Sequence, residues 1–274
     1  MSNFFKNFPL VGYNFGNESE PALFQDISAY IKIIDGLRDD IAFYTTVHIQ
    51  DYDRPDNFSY KLYGTTEFYW TFYYLNDDLR ESGWPLPQQD LLPKAKLDYP
   101  HRSVLTTGDI SKTFLPGHVV TGVGGASGTV IKRYLDLGQL IIDFSPANLA
   151  NLELTFKVGE LITPSNNGAE STAVQVVSST NASPINENLT PRKGEQEQYD
   201  SVHHYENASK EYVDLGLVPS GVGTGDYPSL ALKTPITYFD RIKSKNDSLR
   251  EIKCLKPDVA VQVKSEFNKL LSQG

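Results

Sequence analysis

His203 and His204 are adjacent, with Asp200 and Glu206 close by in the chain, and imidazole with carboxylate is the donor set of a transition-metal site. In an extended strand, neighbouring side chains point to opposite faces, so consecutive histidines are poorly placed to share one ion. A solvated polar segment is the competing reading. His48, His101 and His118 have no ligand-type residues at familiar spacing and read as structural. Asp51, Asp53 and Asp56 resemble the start of a calcium loop, but, counting from Asp51, the glycine of the sixth position and the glutamate of the twelfth are absent. Turn and cap roles account for them. The run from Gly122 to Gly128 has the composition of a dinucleotide loop, yet its third glycine position falls on Ser127 and its flanks read as strands, so a β-hairpin turn is expected. Gly221, Gly223 and Gly225 lack a following Lys-Ser/Thr and a helix, and read as backbone flexibility. Cys254 is the only cysteine, which excludes an intrachain disulfide and a cysteine-rich metal site. It lies in the strand-like run IKCLKP, away from any helix N-terminus that would lower its pKa, and no Gly-x-Ser-x-Gly elbow occurs. Neither a nucleophile nor a cofactor site is indicated.

The stretch from Tyr44 to Leu86 has the character of a compact, buried unit that holds rather than reacts. Tyr44 to Ile49 alternates as a half-buried strand does, and the run Asp51 to Asp56 supplies a turn, with Pro55 placed to open a helix. A helix is expected from Asp56 to Tyr63, stopped by Gly64 in the left-handed C′ position. Thr65 or Thr66 then caps a second helix, Glu67 to Leu75, ended by Asn76-Asp77-Asp78. Phe68, Tyr69, Trp70, Phe72, Tyr73 and Tyr74 make that helix aromatic on nearly every side, which requires burial or a partner.

Elsewhere, Asp26 to Arg38 has the apolar spacing of a short helix. The run PLPQQDLLPKAKLDYP carries four prolines, so an extended strap that includes the first unit's last strand is expected. From Leu105 the runs Val119-Val120, Thr129 to Ile131, Leu140 to Ile142, Leu152 to Thr155, Leu161-Ile162 and Ala173 to Val177 alternate with Gly, Asn or Pro, the pattern of a small antiparallel barrel or sandwich. Asn181 to Tyr205 is almost without aliphatic residues and reads as a flexible link, continued by a Gly- and Pro-rich arm to Pro235. Ile236 to Ile242 is expected as a final strand on the first unit. Pro257 opens a last helix with Val259, Val263, Phe267, Leu270 and Leu271 on one face, docking either on this chain's own core or on a neighbouring subunit. The expected fold class is α+β. Four regions follow: 1–103, an N-terminal helix and a strand–helix–helix–strand unit; 104–180, a β-rich insertion; 181–235, an extended polar arm; and 236–274, a strand and docking helix.

In order along the chain, the strand, the "RP" turn at Arg54-Pro55, the helix ending in Tyr63-Gly64, the aromatic helix with Tyr69-Trp70, then Asn76 and Trp84-Pro85-Leu86 resemble the small baseplate wedge protein of T-even-like contractile-tailed phages, the gene product fifty-three family. A second similar segment, Asn246-Asp247-Ser248-Leu249-Arg250-Glu251-Ile252-Lys253, matches that family's "ND..R.I" pattern and precedes a closing helix carrying Phe267. The resemblance implies a lysin-motif-like core and a non-enzymatic subunit of the virion's tail baseplate, made in the host cytoplasm. It further implies partners among other wedge subunits, the sheath-initiating ring and the hub, in sixfold order. It defines Tyr63, Gly64, Tyr69, Trp70, Asn76, Trp84 and Pro85, with Asn246, Asp247, Arg250 and Ile252, as the domain's marking residues. Leu105 to Thr180 has no counterpart in the shortest members of that family.

Composition agrees with a role in assembly. The 274 residues exceed one ordinary domain, so two or three folding units are expected. Sixteen Tyr and 14 Phe suit either a Tyr-rich core or amphipathic contacts at interfaces. A net charge of −9 without a basic run disfavours nucleic-acid binding. The chain has no stretch of ~20 apolar residues for spanning a bilayer and no secretion-signal pattern, so it reads as soluble and built for a reducing compartment. The lysin-motif likeness carries one alternative, a peptidoglycan- or glycan-binding module. Tyr69, Trp70 or Trp84 would then stack on sugars, with Glu67 and Asp77 as candidate hydrolytic carboxylates.

Overall fold

The computed structural model describes residues 10–14, 16, 22–25, 42–107, 110, 111, 113–144, 154–164, 174–177, 194–213 and 233–273. In chain order the described elements are β1 (Leu10–Tyr13), β2 (Ala22–Gln25), β3 (Tyr44–His48), α1 (Pro55–Tyr63), α2 (Tyr69–Leu75), α3 (Asp77–Ser82) and α4 (Gln88–Asp98). Then come β4 (Arg102–Thr107), β5 (Val119–Gly122), β6 (Ser127–Tyr134), β7 (Gln139–Phe144), β8 (Leu161–Pro164), β9 (Val174–Val177) and β10 (Glu195–Glu197). The chain closes with β11 (Val202–Glu206), β12 (Tyr212–Val213), β13 (Thr234–Thr237), α5 (Tyr238–Ser248), β14 (Glu251–Leu255) and α6 (Pro257–Gln273). Mixed helices and small sheets make this an α+β protein, in two units: Met1–Gln88 with Ser244–Gly274, and Gln89–Lys243. The helix expected over 26–38 and the glycines at 221, 223 and 225 lie outside the described residues.

In the first unit, Pro55 occupies the start of α1, where its missing N–H leaves no bond unmade. The helix stops at Gly64, whose φ of 69° is left-handed and whose N–H donates to the Tyr60 carbonyl. A Cβ placed on Gly64 meets nothing within 4 Å, so only the backbone conformation penalises a side chain there. Gly64→Val is therefore expected to lower stability by about 1–2 kcal/mol, read by thermal unfolding; an unchanged melting temperature would refute the cap.

α2 begins at Tyr69 and not at Glu67. Neither threonine caps it; Thr65 Oγ1 accepts the Glu67 N–H within the preceding turn, and Phe68, buried in an apolar cluster, ends up at the N-terminus with no side-chain cap. The strap expected after Pro85 is instead helix α4, despite Pro93 inside it. Leu91 and Ala95 recur at i, i+4 and are both buried, so packing outweighs the one ladder bond that proline removes.

The partner of β3 in the first unit is β14, which pairs antiparallel with it from Tyr44↔Leu255 to His48↔Glu251. Of the strand expected at Ile236 to Ile242, only Ile236 and Thr237 are in strand, as the end of β13, and they pair with β11 instead of with the first unit's strands; from Tyr238 the chain is helix. Thr237 and Asp240 make a reciprocal capping box there: Thr237 N–H and Oγ–H donate to Asp240 Oδ2 (3.0 and 2.8 Å) and Asp240 N–H donates to Thr237 Oγ1 (3.0 Å), opening α5. One core cluster joins Ile49, Phe58, Phe72, Leu79, Leu249, Ile252 and Cys254; another joins Phe68 and Leu75 to Leu255, Ala260 and Val263. Over its first turns α6 thus docks on this chain's own core.

In the second unit, β4, β7, β6, β5, β8 and β9 pair antiparallel in that order, and β9 returns to β4 at Leu105↔Val177. The sheet closes as a small barrel around Val104, Val130, Leu140, Phe144, Phe156 and Ile162, among others. Of the expected strand Leu152 to Thr155, the described residues 154 and 155 are not in strand. Within Gly122 to Gly128, residues 123–126 form the hairpin turn between β5 and β6, and the Glu160 carboxylate accepts the Gly124 N–H, so a carboxylate of the chain itself fills the anion position such a loop offers.

The arm expected over 181–235 is in part folded. Glu195 is 5% exposed, yet its Oε2 accepts the Phe156 N–H at 3.0 Å while Gly194 N–H donates to the Phe156 carbonyl. Arg102 pairs with Glu197, and buried Gln139 Nε2 donates to Ser103 Oγ (2.7 Å). Polar groups partnered in this way pack without aliphatic residues, which is why the segment's composition suggested disorder. β10 extends the barrel beside β4, and β12, β11 and β13 form a three-stranded sheet.

Candidate functional site

Asn246 and Arg250 lie where α5 gives way to β14, and the backbone of Leu86 meets both. Asn246 Oδ1 accepts the Leu86 N–H at 2.7 Å, and its Nδ2 donates to the Leu86 carbonyl at 3.0 Å, so the amide mimics a paired strand. Arg250, 7% exposed, donates to the same carbonyl at 2.9 Å and to Asp51 Oδ1, with Asp247 Oδ1 3.7 Å from its Nε. Its fork spans acceptors from two stretches of chain, Ile49 to Asp51 and Leu86, a task for a planar guanidinium. Pro85 and Ile252 are buried beside this junction.

Three further marking residues, Asn76, Tyr63 and Trp84, act in the same manner, from side chain to backbone. Asn76 Nδ2 donates to the Lys253 carbonyl at 2.9 Å while Oδ1 accepts the Lys253 N–H at 2.8 Å, adding a pseudo-strand to the edge of β14. Tyr63 donates to the Leu255 carbonyl at 3.0 Å. Burial, and secondarily the Cys254 thiol, raises the Tyr63 phenol well above its ordinary pKa, so it stays a donor at any working pH. Trp84 Nε1 donates to the Asp53 carbonyl at 2.6 Å, and its ring packs at 5.8 and 5.9 Å from Phe58 and Phe72. Tyr69 is half-buried against the Phe72 cluster, and Trp70 is half-buried against the Phe68 cluster rather than fully enclosed. The side chain of Phe267 lies outside the described residues.

The residues with candidate chemistry are engaged elsewhere. Glu67 pairs with Lys264, and Asp77 with Arg80 at 3.0 Å. Burial pushes the Cys254 thiol up to about 12, which keeps it protonated and inert. Among the described residues no group of three or more His, Cys, Asp or Glu side chains is placed to hold a metal, and no helix is long and apolar enough to cross a membrane. A shallow cleft of about 350 Å³ is lined by Asp51, Tyr52, Asp53, Asn57, Tyr60 and Lys61. Tyr52 has φ 68°, an unfavourable conformation for a bulky residue, and Tyr52 and Tyr60 are 64% and 63% exposed. Sequence reasoning had no signal for this cleft, because a positive φ at a tyrosine is imposed by the surrounding fold. Compared with known proteins, the chain matches no family model and no curated protein.

Proposed function

We propose that this chain is a non-enzymatic structural subunit of a contractile-tail baseplate wedge. It joins wedge components to one another and neighbouring wedges around the hub, with contacts to the sheath-initiating ring, in sixfold order. The first unit then reads as lysin-motif-like, with β3, α1, α2 and β14 as its strand–helix–helix–strand. The observation that carries this reading is the meeting of Asn246 and Arg250 with Leu86. Two segments 160 residues apart, each resembling the same family, form one side-chain-to-backbone junction. Permanent assemblies favour such units, since buried aromatic and hydrogen-bonded cores hold shape under load while large surfaces remain for partners.

A second reading, a glycan-binding module, is favoured by the cleft beside Tyr52 and Tyr60, whose exposed rings could stack on sugars in a way that Trp84, committed to Asp53 and Phe58, cannot. Electron microscopy of tails made without this chain, together with a peptidoglycan pull-down of the purified protein, separates the two. Unjoined wedges and no retention on peptidoglycan are the expected results. Intact tails, with retention abolished by Tyr52→Ala, would replace the assembly reading with the glycan one.

A further inference from the structure

The two adjacent histidines, expected to diverge, instead meet. The register between β11 and β13 shifts between Val202 and His204, leaving His203 without a partner residue across the ladder. At this irregularity the side-chain alternation is broken, and His203 Nδ1 comes 3.0 Å from His204 Nδ1. His203 packs edge-on to Tyr238 with centroids 4.8 Å apart, and His204 stacks on Tyr212 at 5.3 Å and 11°.

Every proton in this row has one consistent place. A guanidinium can only donate, so the contact of Arg241 Nη1 with His203 Nε2 makes that nitrogen an acceptor and leaves the His203 proton on Nδ1. Nδ1–H then donates to His204 Nδ1, which puts the His204 proton on Nε2, and Nε2–H donates to Glu206 Oε1 at 3.1 Å. Both imidazoles are neutral and each ring nitrogen is used once. An added proton can go only to His203 Nε2, against the Arg241 cation, or to His204 Nδ1, against the His203 N–H. Either position breaks a link.

We propose that the row Arg241–His203–His204–Glu206 is an acid-sensitive latch that holds β11 to the start of α5 at neutral pH and releases it on acidification. The groups that face it are Arg241 and Tyr238 from α5, Lys132 and Tyr134 from β6, Asp136 just beyond β6, Tyr212 from β12 and Glu206 from β11 itself. Glu206 and Asp136 favour a charged imidazole, whereas Arg241 and Lys132 oppose one. For His203 opposition wins: burial first, then Arg241, His204 and Lys132, hold it down at about 4.

The sign follows by linkage. The closed form binds the proton less readily than the open one, so closure is favoured fully above about 6.5 and is lost as pH falls toward 4. A displacement from about 6.5 to about 4 sets a ceiling of roughly 300-fold on the opening constant, and solvent at the partly exposed ring lowers the expected change to ~10-fold.

Hydrogen–deuterium exchange on the full chain at pH 7 and pH 5, corrected for intrinsic exchange rates, reads the latch. Protection of amides 202–206 is expected to fall ~10-fold relative to barrel strand β7 in the wild type. His203→Gln, which can accept from Arg241 and donate to His204 but cannot take up a proton, is expected to keep its protection at both values. Equal pH dependence of β11 and β7 in the wild type, or a fall in His203→Gln as large as in the wild type, would overturn the proposal. Should that variant not fold, imidazole nitrogen NMR of the wild-type chain decides. A proton on His203 Nδ1 with titration well below 6 supports the latch, and a proton on Nε2 or ordinary titration near 6.5 refutes it.

Discussion

Phe72→Ala is expected to cost the first unit about 3–5 kcal/mol and to leave it largely unfolded at temperatures the wild-type chain withstands. Phe72 is fully enclosed, with Phe58 edge-on at 5.4 Å, Tyr63 stacked at 6.1 Å and Trp84 at 5.9 Å. Truncation removes the apolar area of the ring and leaves a hole walled by three other rings. Those rings cannot collapse into it, because Tyr63 and Trp84 are each tied by a hydrogen bond to distant backbone. Urea unfolding followed by tryptophan fluorescence measures the loss. A change below about 1 kcal/mol would show that the aromatic nucleus relaxes freely and is not the unit's organising centre.

Arg250→Met is expected to be nearly as damaging, about 3 kcal/mol, although methionine matches much of the apolar stem. The substitution strips a donor from the Leu86 and Ile49 carbonyls and leaves the Asp51 carboxylate without its cation. Arg250→Lys should not rescue, since a single ammonium cannot reach acceptors spread across Ile49, Asp51 and Leu86. Because the effect is confined to the first unit, exchange protection in β7 of the barrel should be unchanged while that of β14 collapses. Equal loss in both would indicate that the two units do not unfold separately.

The legible parts of this fold were those with a local cause. Pro55 and Gly64 set α1 within a residue of its expected limits, and glycine-punctuated apolar runs announced a barrel or sandwich. The parts that were missed were decided by distant partners. Helix α4 forms in spite of Pro93 because Leu91 and Ala95 have a core to enter, and β10 is ordered in part by the hydrogen bond that Glu195 accepts from the Phe156 N–H, which composition does not register. One miss had a visible signal: Thr237-Tyr238-Phe239-Asp240 is a capping box, outweighed in the reading by its β-forming residues. The shared work of Asn76 and Asn246 was not legible, since nothing local indicates that each pairs with backbone more than 150 positions away.

That separation also governs how the protein emerges from the ribosome. At ~5–20 residues per second, the translation of Asn246 trails that of Leu86 by about 8–32 s, long after the aromatic helices have left the exit tunnel. The barrel can close during that interval from residues already made, whereas the nascent aromatic face waits, open to water, for its closing strand. Chaperone demand during synthesis should therefore centre on the stretch containing Phe68 and Phe72, and it should end when β14 appears.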